Sequence, residues 1–309
     1  MFGRTLILIN PSARSNQASE AAAKAVPFIE AQLQAESTNR SVKIYRTLGQ
    51  GDAKRFIEDN AIGYQSIIAI GGDGLIHEAI NGLMTLPEGQ RPQLGIIPCG
   101  NGDDFARSLG ISRKPLESMN QLLVSSPMQI DIPRVNATYF NETLSFGLDA
   151  AIALQTMKLR KETKQTGTSL YLRCGIDQLK NHREIYQATI QLDHKQPCKT
   201  NLYMLAVQNG SFYGGGFKIC PKANLRDGLL DICYAVPPLS FFQGVQLFLR
   251  AKSGKHITNK HIRLAQASKI SIQFDRLIPA QTDGELLRDN KFEIEMNEKA
   301  ISVLVPHID

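Results

Sequence analysis

The sequence predicts an N-terminal α/β domain with a doubly wound parallel sheet, joined to a second, mainly antiparallel β domain. Three observations carry this. Short apolar runs alternate with helical patterns over the first part of the chain. Two of those runs end in glycine-rich turns that open helices. Beyond residue 128 the texture changes to short β-rich segments separated by turns. The expected division is 1–128 plus 297–309 for the first domain and 129–296 for the second, with the apolar run 300–305 returning to the first as an extra strand.

The elements follow in order. Residues 5–9 (TLILI) are a short apolar run closed by the loop residues Asn10, Pro11 and Ser12. Residues 18–33 are Ala-rich and periodic, a helix that Pro27 should kink or restart. Residues 42–45 read as strand and 51–61 as helix, with Asp52 near its start. The compact strand 66–70 breaks at Gly71-Gly72-Asp73-Gly74, and helix 75–86 follows. Strand 94–97, loop 98–102 and a helix start at 103–109 repeat the design. This β-α-β-α order implies a parallel sheet covered on both faces, which binds ligands outside the carboxyl ends of its strands. In the second domain, strands are expected at 129–135, 139–146, 186–193, 202–208, 229–235, 269–274 and 291–296. Helices are expected near 169–181 and 240–252.

Composition narrows the class. Apolar residues make up 42% and charged residues 21% of the 309, as in a globular protein with a sizeable core. Five scattered cysteines without a C-x-x-C pair argue for reduced thiols in a cytoplasm rather than a disulfide framework. No histidine pair sits at helical ligand spacing, which argues against zinc. The N-terminal run ends in Asn-Pro and reads as a first strand rather than a signal peptide, and no stretch approaches a spanning helix. The net charge of +6 is concentrated in Lys158–Lys164 and in residues 250–263.

Chemistry concentrates in the glycine turns. In IIAIGGDGLIHEAINGL (residues 67–83) the glycines allow a phosphate close to the backbone, and a helix N-terminus supplies N–H groups and a positive dipole. Asp73 facing a polyphosphate would be repulsive without a divalent cation between them, so it points to a metal–nucleotide site. The plain alternative is a tight turn with Asp73 as helix cap. A second loop, LGIIPCGNGDDFARSLG (94–110), repeats strand, glycine turn and acidic helix start with Asp103 and Asp104. The patterns G-x-x-x-x-G-K-[ST] and G-x-G-x-x-G are absent, which disfavours a P-loop enzyme and an ordinary NAD-dependent dehydrogenase.

These motifs, with Asn10-Pro11, Thr47-x-x-x-Gly51-Asp52-Ala53, residues 209–231 (NGSFYGGGFKICPKANLRDGLLD) and Asp283-Gly284-Glu285, span nearly the whole chain. In this ordered set the chain resembles the bacterial diacylglycerol kinase-like lipid kinases, related to sphingosine kinases and more distantly to NAD kinases. The resemblance implies ATP between the domains, its phosphates on Gly72, Asp73, Gly74, Leu75, Ile76, His77 and Glu78 and near Asn10, Pro11, Ser12 and Arg14. Thr47, Gly100 and Asn101 would line the nucleotide pocket. It implies that Asp73 and Asp104 belong to a water-bridged network around the catalytic Mg²⁺. A second, structural Mg²⁺ would be held by the Asp227 carboxylate and the Asn224 and Leu229 carbonyls. Glu285 would be the general base, with Asp283 beside it. Taken alone, Asp227-Gly228 and Asp283-Gly284 also read as hairpin turns.

The sequence departs from the family pattern at Leu75 and Asn101, where the family has Thr, and His77-Glu78 stands where it has Asn-Glu. Asn101 can hydrogen-bond through its amide, whereas Leu75 cannot. The expected activity is transfer of the ATP γ-phosphoryl group to the hydroxyl of diacylglycerol or a related lipid alcohol. The alternatives are an NAD kinase-like activity or a catalytically weak nucleotide or lipid sensor. Phe241, Phe242, Val245, Leu247, Phe248 and Leu249 next to Arg250, Lys252, Lys255, Lys260 and Arg263 fit either peripheral docking at the inner membrane surface or a core-facing helix with a basic flank. Nucleic acid is not an expected partner, and a homodimer follows from the family only.

Overall fold

The computed structural model describes residues 3–13, 17–36, 41–163, 165 and 167–307. In chain order the first elements are β1 (Thr5–Ile9), α1 (Gln17–Glu36), β2 (Val42–Arg46), α2 (Asp52–Asn60), β3 (Ser66–Gly71), α3 (Asp73–Leu83), β4 (Gln93–Pro98), α4 (Asp104–Ser108), α5 (Pro115–Leu123) and β5 (Ser125–Ile130). There follow β6 (Arg134–Val135), β7 (Thr138–Tyr139), β8 (Thr143–Gly147), α6 (Leu148–Thr163), α7 (Thr168–Asn181), β9 (Tyr186–Leu192), β10 (Cys198–Leu202), β11 (Met204–Gln208), β12 (Leu230–Ala235) and α8 (Phe241–Ala251). The chain ends with β13 (Ile262–Ala267), β14 (Lys269–Phe274), β15 (Ala280–Thr282), β16 (Glu285–Leu287), β17 (Lys291–Glu295) and β18 (Ile301–Pro306).

Two compact units result, Met1–Asp131 with Lys299–Asp309, and Ile132–Glu298. The first is built on a sheet of order β2-β1-β3-β4-β18-β5. β2, β1, β3, β4 and β18 run parallel, and β5 pairs antiparallel with β18. β1 and β3 are buried along their whole length, as their unbroken apolar runs require of strands covered on both faces. An alanine-rich face of α1 (Ala18, Ala21, Ala22, Ala25) closes on Ile7, Ile9 and Ile68. Pro27 was expected to kink this helix or mark a restart, and α1 continues through it without a restart. Pro27 lies on the exposed face, where water can serve the carbonyl that loses its helical donor.

The expected domain boundary at 128/129 falls inside β5. Residues 125–130 pair with β18, so Gln129 and Ile130 belong to the first sheet. The expected strand 129–135 is accordingly two strands in two sheets, β5 and β6.

The second unit contains two antiparallel sheets, β10-β9-β14-β17-β6-β7 and β13-β12-β11-β8-β15-β16. Phe146 of one sheet meets Phe274 and Phe292 of the other, with ring centroids 5.3 and 4.7 Å away. Leu144, Val207 and Ile232 pack into the same core as Ile270 and Ile272, so the two sheets form a sandwich. The opposite face of the β8-containing sheet is covered by helices: Leu148, Cys174 and Leu247 pack with Met204, Ala206 and Cys233. α6 was not expected from the sequence. Its apolar residues form only a narrow stripe, and tertiary packing supplies the rest.

Candidate active site

In the first unit, the carboxyl ends of β1, β3 and β4 meet at one edge. Asn10 N donates to Ile70 O at 3.1 Å, Thr47 N to Ile9 O at 2.9 Å, and Cys99 N to Gly71 O at 2.7 Å. These bonds carry the strand register into the loops and bring together Asn10, Thr47, Gly72, Asp73, Gly100 and Asn101. Gly72 and Gly100 pack backbone against backbone: a Cβ on Gly72 would lie 2.8 Å from Gly100 Cα. No other residue pair permits that approach.

α3 begins at Asp73, with Gly72 as its cap residue and no side-chain cap. The capping alternative for Asp73 therefore fails. Its carboxylate instead reaches the next loop, accepting from Asp103 N at 2.8 Å and Asp104 N at 3.0 Å. Among the described residues no hydrogen bond uses the N–H of Asp73 or Gly74, and Gly74 is exposed with open space around it. Two donors at the positive end of an eleven-residue helix thus face outward.

Burial, then the charges of Asp104 and Asp103, push the Asp73 carboxyl up to about 7, against the two backbone bonds that hold it down. Such an acid cluster is relieved by a cation. Gly102 leaves a cradle there, where a Cβ would lie 2.8 Å from Asp73 Oδ2 and 3.3 Å from Asp104 Oδ2. Among the described residues no three His, Cys, Asp or Glu side chains form a cage of their own. The donor set therefore fits Mg²⁺ completed by phosphate oxygens and water, the usual habit of that ion.

The remaining predicted residues of this unit divide. Asn10 Oδ1 accepts from Ser12 N at 3.2 Å and Ser12 Oγ at 2.9 Å, which fixes the Asn10-Pro11-Ser12 turn. Thr47 is buried and donates its hydroxyl to Ile9 O at 3.3 Å. Glu78 turns to α2, accepting from Gly51 N at 2.7 Å and Ala53 N at 3.1 Å, and so caps that helix. Leu75 packs on Gly71 and Ile76 is in the core, and their N–H groups donate to Gly72 O at 3.0 and 3.3 Å, so neither presents a side-chain donor or an unused N–H to a ligand. His77 is buried beside Asn81, whose amide donates to His77 O at 2.9 Å. Asn101 O accepts from Arg113 Nη2 at 3.2 Å. Asp103 ties the loop, accepting from Gly100 N at 2.7 Å with Arg113 Nε 3.6 Å away, while Asp104 lies 3.7 Å from Arg107 Nε. Arg14 lies outside the described residues.

In the second unit, β15 and β16 form a two-residue hairpin in which Thr282 pairs with Glu285. Asp283 and Gly284 both take positive φ, 45° and 95°, as a type I′ turn requires. The Asp283 carboxylate accepts from three consecutive backbone N–H groups: Asn141 at 2.7 Å, Glu142 at 3.1 Å and Thr143 at 2.9 Å. Asp283 is therefore an anchor that fixes the turn carrying the half-buried Glu285. A buried polar layer surrounds it, with Gln281 donating to Ser145 Oγ and Asn209 to Asn141 O. Glu142, 4% exposed and lying against Gly210, joins this layer. Sequence reasoning missed it, because one Glu in a short loop reads like any solvated acid.

Asn224, Asp227 and Leu229 lie in the loop before β12. Asp227 is exposed, and one carboxylate oxygen accepts from Leu229 N at 3.1 Å. Asp231 follows on β12. Burial raises its carboxyl, Gln266 lowers it, and the Asp227 charge raises it again. Two neighbouring carboxylates in an oxygen-rich turn fit a hard cation by donor type.

Comparison with known proteins agrees with this fold. Residues 4–135 match the diacylglycerol kinase catalytic domain, and residues 142–305 match the YegS C-terminal NAD kinase beta sandwich-like domain. The chain is 29% identical over 313 residues to the Salmonella arizonae protein named "Probable lipid kinase YegS", covering 99% of this chain and 97% of that one. It is 29% identical over 259 residues to a Bacillus subtilis diacylglycerol kinase, covering 81% of each chain. A diacylglycerol kinase crystal structure from Bacillus anthracis superposes with a TM-score of 0.77 at 23% identity, over 98% of this chain and 97% of that one. An Archaeoglobus fulgidus NAD kinase solved with ATP shares the fold at a TM-score of 0.50 and 10% identity, over 98% and 93% of the two chains. The match over residues 142–305 alone covers more than half of the chain, and with both matches this chain belongs to the diacylglycerol kinase-like lipid kinase family that includes the YegS proteins.

Proposed function

We propose that the protein is a Mg²⁺-dependent kinase that transfers the γ-phosphoryl group of ATP to the hydroxyl of diacylglycerol or a related membrane lipid alcohol. The observation that supports it best is the glycine edge of the first unit. Gly72 and Gly100 touch there, two helix-end N–H groups face outward, and Asp73 and Asp104 border the cradle at Gly102.

The residues divide the work. The Asp73 and Gly74 amides hold phosphate oxygens at the positive end of α3. Asp73 and Asp104 hold Mg²⁺, which neutralises charge on the triphosphate when bound. Asn10, Ser12, Thr47, Gly100 and Asn101 border the nucleotide, and Arg14 follows in the same loop. Glu285 accepts the proton of the lipid hydroxyl as its oxygen bonds to the γ-phosphorus and the bond from that phosphorus to the β–γ bridging oxygen breaks. Asp283 keeps the Glu285 turn in place. Asn224, Asp227 and Leu229 hold a second, structural cation.

Among the described residues no helix is long and apolar enough to cross a membrane, so the substrate would be met at the bilayer surface. The test is thin-layer separation of products from labelled ATP and a panel of lipid alcohols, with and without Mg²⁺. A Mg²⁺-dependent labelled lipid is the expected result. Labelled NAD with no labelled lipid would instead favour the NAD kinase-like alternative, and ATP binding without any transfer would favour a sensor.

A further inference from the structure

Two buried thiols and an imidazole meet in the second unit, and the activity proposed above uses none of them. Cys220 lies in the loop before β12 and Cys233 within β12, 3% and 0% exposed. The Cys220 thiol donates a hydrogen bond to the Cys233 sulfur. His256 Nε2 lies 3.8 Å from Cys233 Sγ and 3.1 Å from Ile219 O. A carbonyl oxygen only accepts, so Nε2 carries the hydrogen and turns it toward the oxygen and the sulfur together. His256 sits on the short turn Lys255–Thr258. Gly254, just before it, packs on Pro221, where a Cβ would lie 2.6 Å from Pro221 Cγ. The turn carrying His256 and the loop carrying Cys220 therefore lie against each other.

The two sulfurs are not equivalent. The Cys220 bond pulls the Cys233 thiol below the usual thiol range, burial opposes it, His256 adds to the lowering and the charge of Asp149 works against it. Burial, then the bond to Cys233, push Cys220 upward. Cys233 is thus the sulfur that carries thiolate character, and Cys220 is the one that keeps its proton.

Ile219 and His256 also line a cavity of the second unit. Its enclosed volume is about 70 Å³, room for a few water-sized molecules and too little for a peptide disulfide. Hydrogen peroxide fits there, one side chain away from Cys233.

We propose that Cys233 and Cys220 form a peroxide-sensitive dithiol whose disulfide latches the loop 221–229 onto β12. The Cys233 thiolate attacks one peroxide oxygen, the O–O bond breaks, and the departing hydroxide leaves as water with the proton given up by Cys220. The Cys220 sulfur then bonds to the Cys233 sulfur as the S–O bond of the sulfenic acid breaks. The second hydroxide takes the proton that Cys233 first released. Two thiols and one peroxide become one disulfide and two waters. The bond closes the ends of the segment 221–232, which restricts that loop.

The test uses the folded full chain with the exposed Cys198 changed to serine, treated with hydrogen peroxide and mapped by non-reducing peptide mass spectrometry. A Cys220–Cys233 link that dithiothreitol reverses is expected, with Cys99 and Cys174 still alkylatable after denaturation. It should form at least about tenfold faster than with an equal concentration of oxidised glutathione, which the cavity excludes. Adding Cys220→Ser should leave Cys233 as a sulfenic acid that dimedone labels. In the linked form, amide hydrogen exchange over residues 221–229 should slow by about tenfold or more. Failure of the folded protein to form the link overturns the proposal, whether or not Cys220→Ser folds. So does a link that oxidised glutathione forms as fast as peroxide does, since the thiols would then be reached by another route. Unchanged exchange in a fully linked protein overturns the latch.

Discussion

Asp73 and Asp283 use one device in two settings. Each is the acid of a glycine turn, and each holds a neighbouring loop by its backbone N–H groups. Asp73 holds two such groups beside Asp103 and Asp104, so its anchoring works against like charge. Asp283 holds three, on a turn already committed by two positive φ angles. The first loop accumulates repulsion that a cation would relieve, whereas the second fixes geometry. The same hydrogen bonds can therefore mark a site built to receive charge in one unit and a positioning element in the other.

The largest effect is expected at Asp283. Asp283→Ala leaves three N–H groups without an acceptor, at about 1–3 kcal/mol for each that stays dry. Urea unfolding should show a loss of about 3 kcal/mol or more, and an unchanged midpoint would remove Asp283 as an anchor. The change to Asn separates the two loops. Asp283→Asn should cost about 1–3 kcal/mol, because the amide keeps one acceptor oxygen and turns a donor toward the N–H that the other oxygen served. Asp73→Asn, assayed without nucleotide or metal, also loses one acceptor, but relief from the charges of Asp104 and Asp103 offsets part of that loss, so it should cost less than Asp283→Asn. Equal losses would mean that charge does not distinguish them.

A third acid isolates the contribution of burial. Asp149 is pushed up to about 6 by burial, against hydrogen bonds from Tyr213 and Ser145. Its folded pKa lies above the unfolded one, so the folded state holds the proton more tightly. Stability is full below about pH 4, falls as pH rises to about 6, and is flat beyond. The shift corresponds to about 2–3 kcal/mol. Asp149→Asn keeps an acceptor for Tyr213 and should abolish that decline, read as the wild-type-minus-variant difference in urea midpoints between pH 4 and 7. A constant difference across that range would contradict it.

The sequence made visible what backbone chemistry writes locally. The two glycine turns, the parallel strands of the first sheet and the Asp283-Gly284 hairpin announce themselves in residue type, because close approach, apolar runs and positive φ each restrict the choice of side chain. What depends on distant partners stayed hidden. Glu78 follows the glycine turn and reads as a phosphate-loop residue, yet its carboxylate caps α2, some 25 residues earlier in the chain. Asp103 looks like a second helix-end acid but ties back to Gly100. α6 has little apolar contrast of its own. A cavity in the second unit between α6, α7, α8, β11 and β12 could not be read at all, since each element contributes only a few side chains to it.

The smallest effect is expected at Leu75, which offers no hydroxyl where the family has Thr. Leu75→Thr should lower the KM for ATP by about fivefold, the equivalent of about 1 kcal/mol for one added hydrogen bond to phosphate. A raised KM would mean that the packing of Leu75 on Gly71 matters more than the missing donor.

The central claim is that Glu285 deprotonates a lipid hydroxyl for attack on ATP. Its most direct test is the rate of lipid labelling by Glu285→Gln, measured beside nucleotide affinity and the thermal transition of the same variant. The account predicts a loss of at least about a hundredfold in kcat, the usual contribution of a general base, with ATP affinity and folding unchanged. Lipid labelling at the wild-type rate by a folded, ATP-binding Glu285→Gln protein would contradict it.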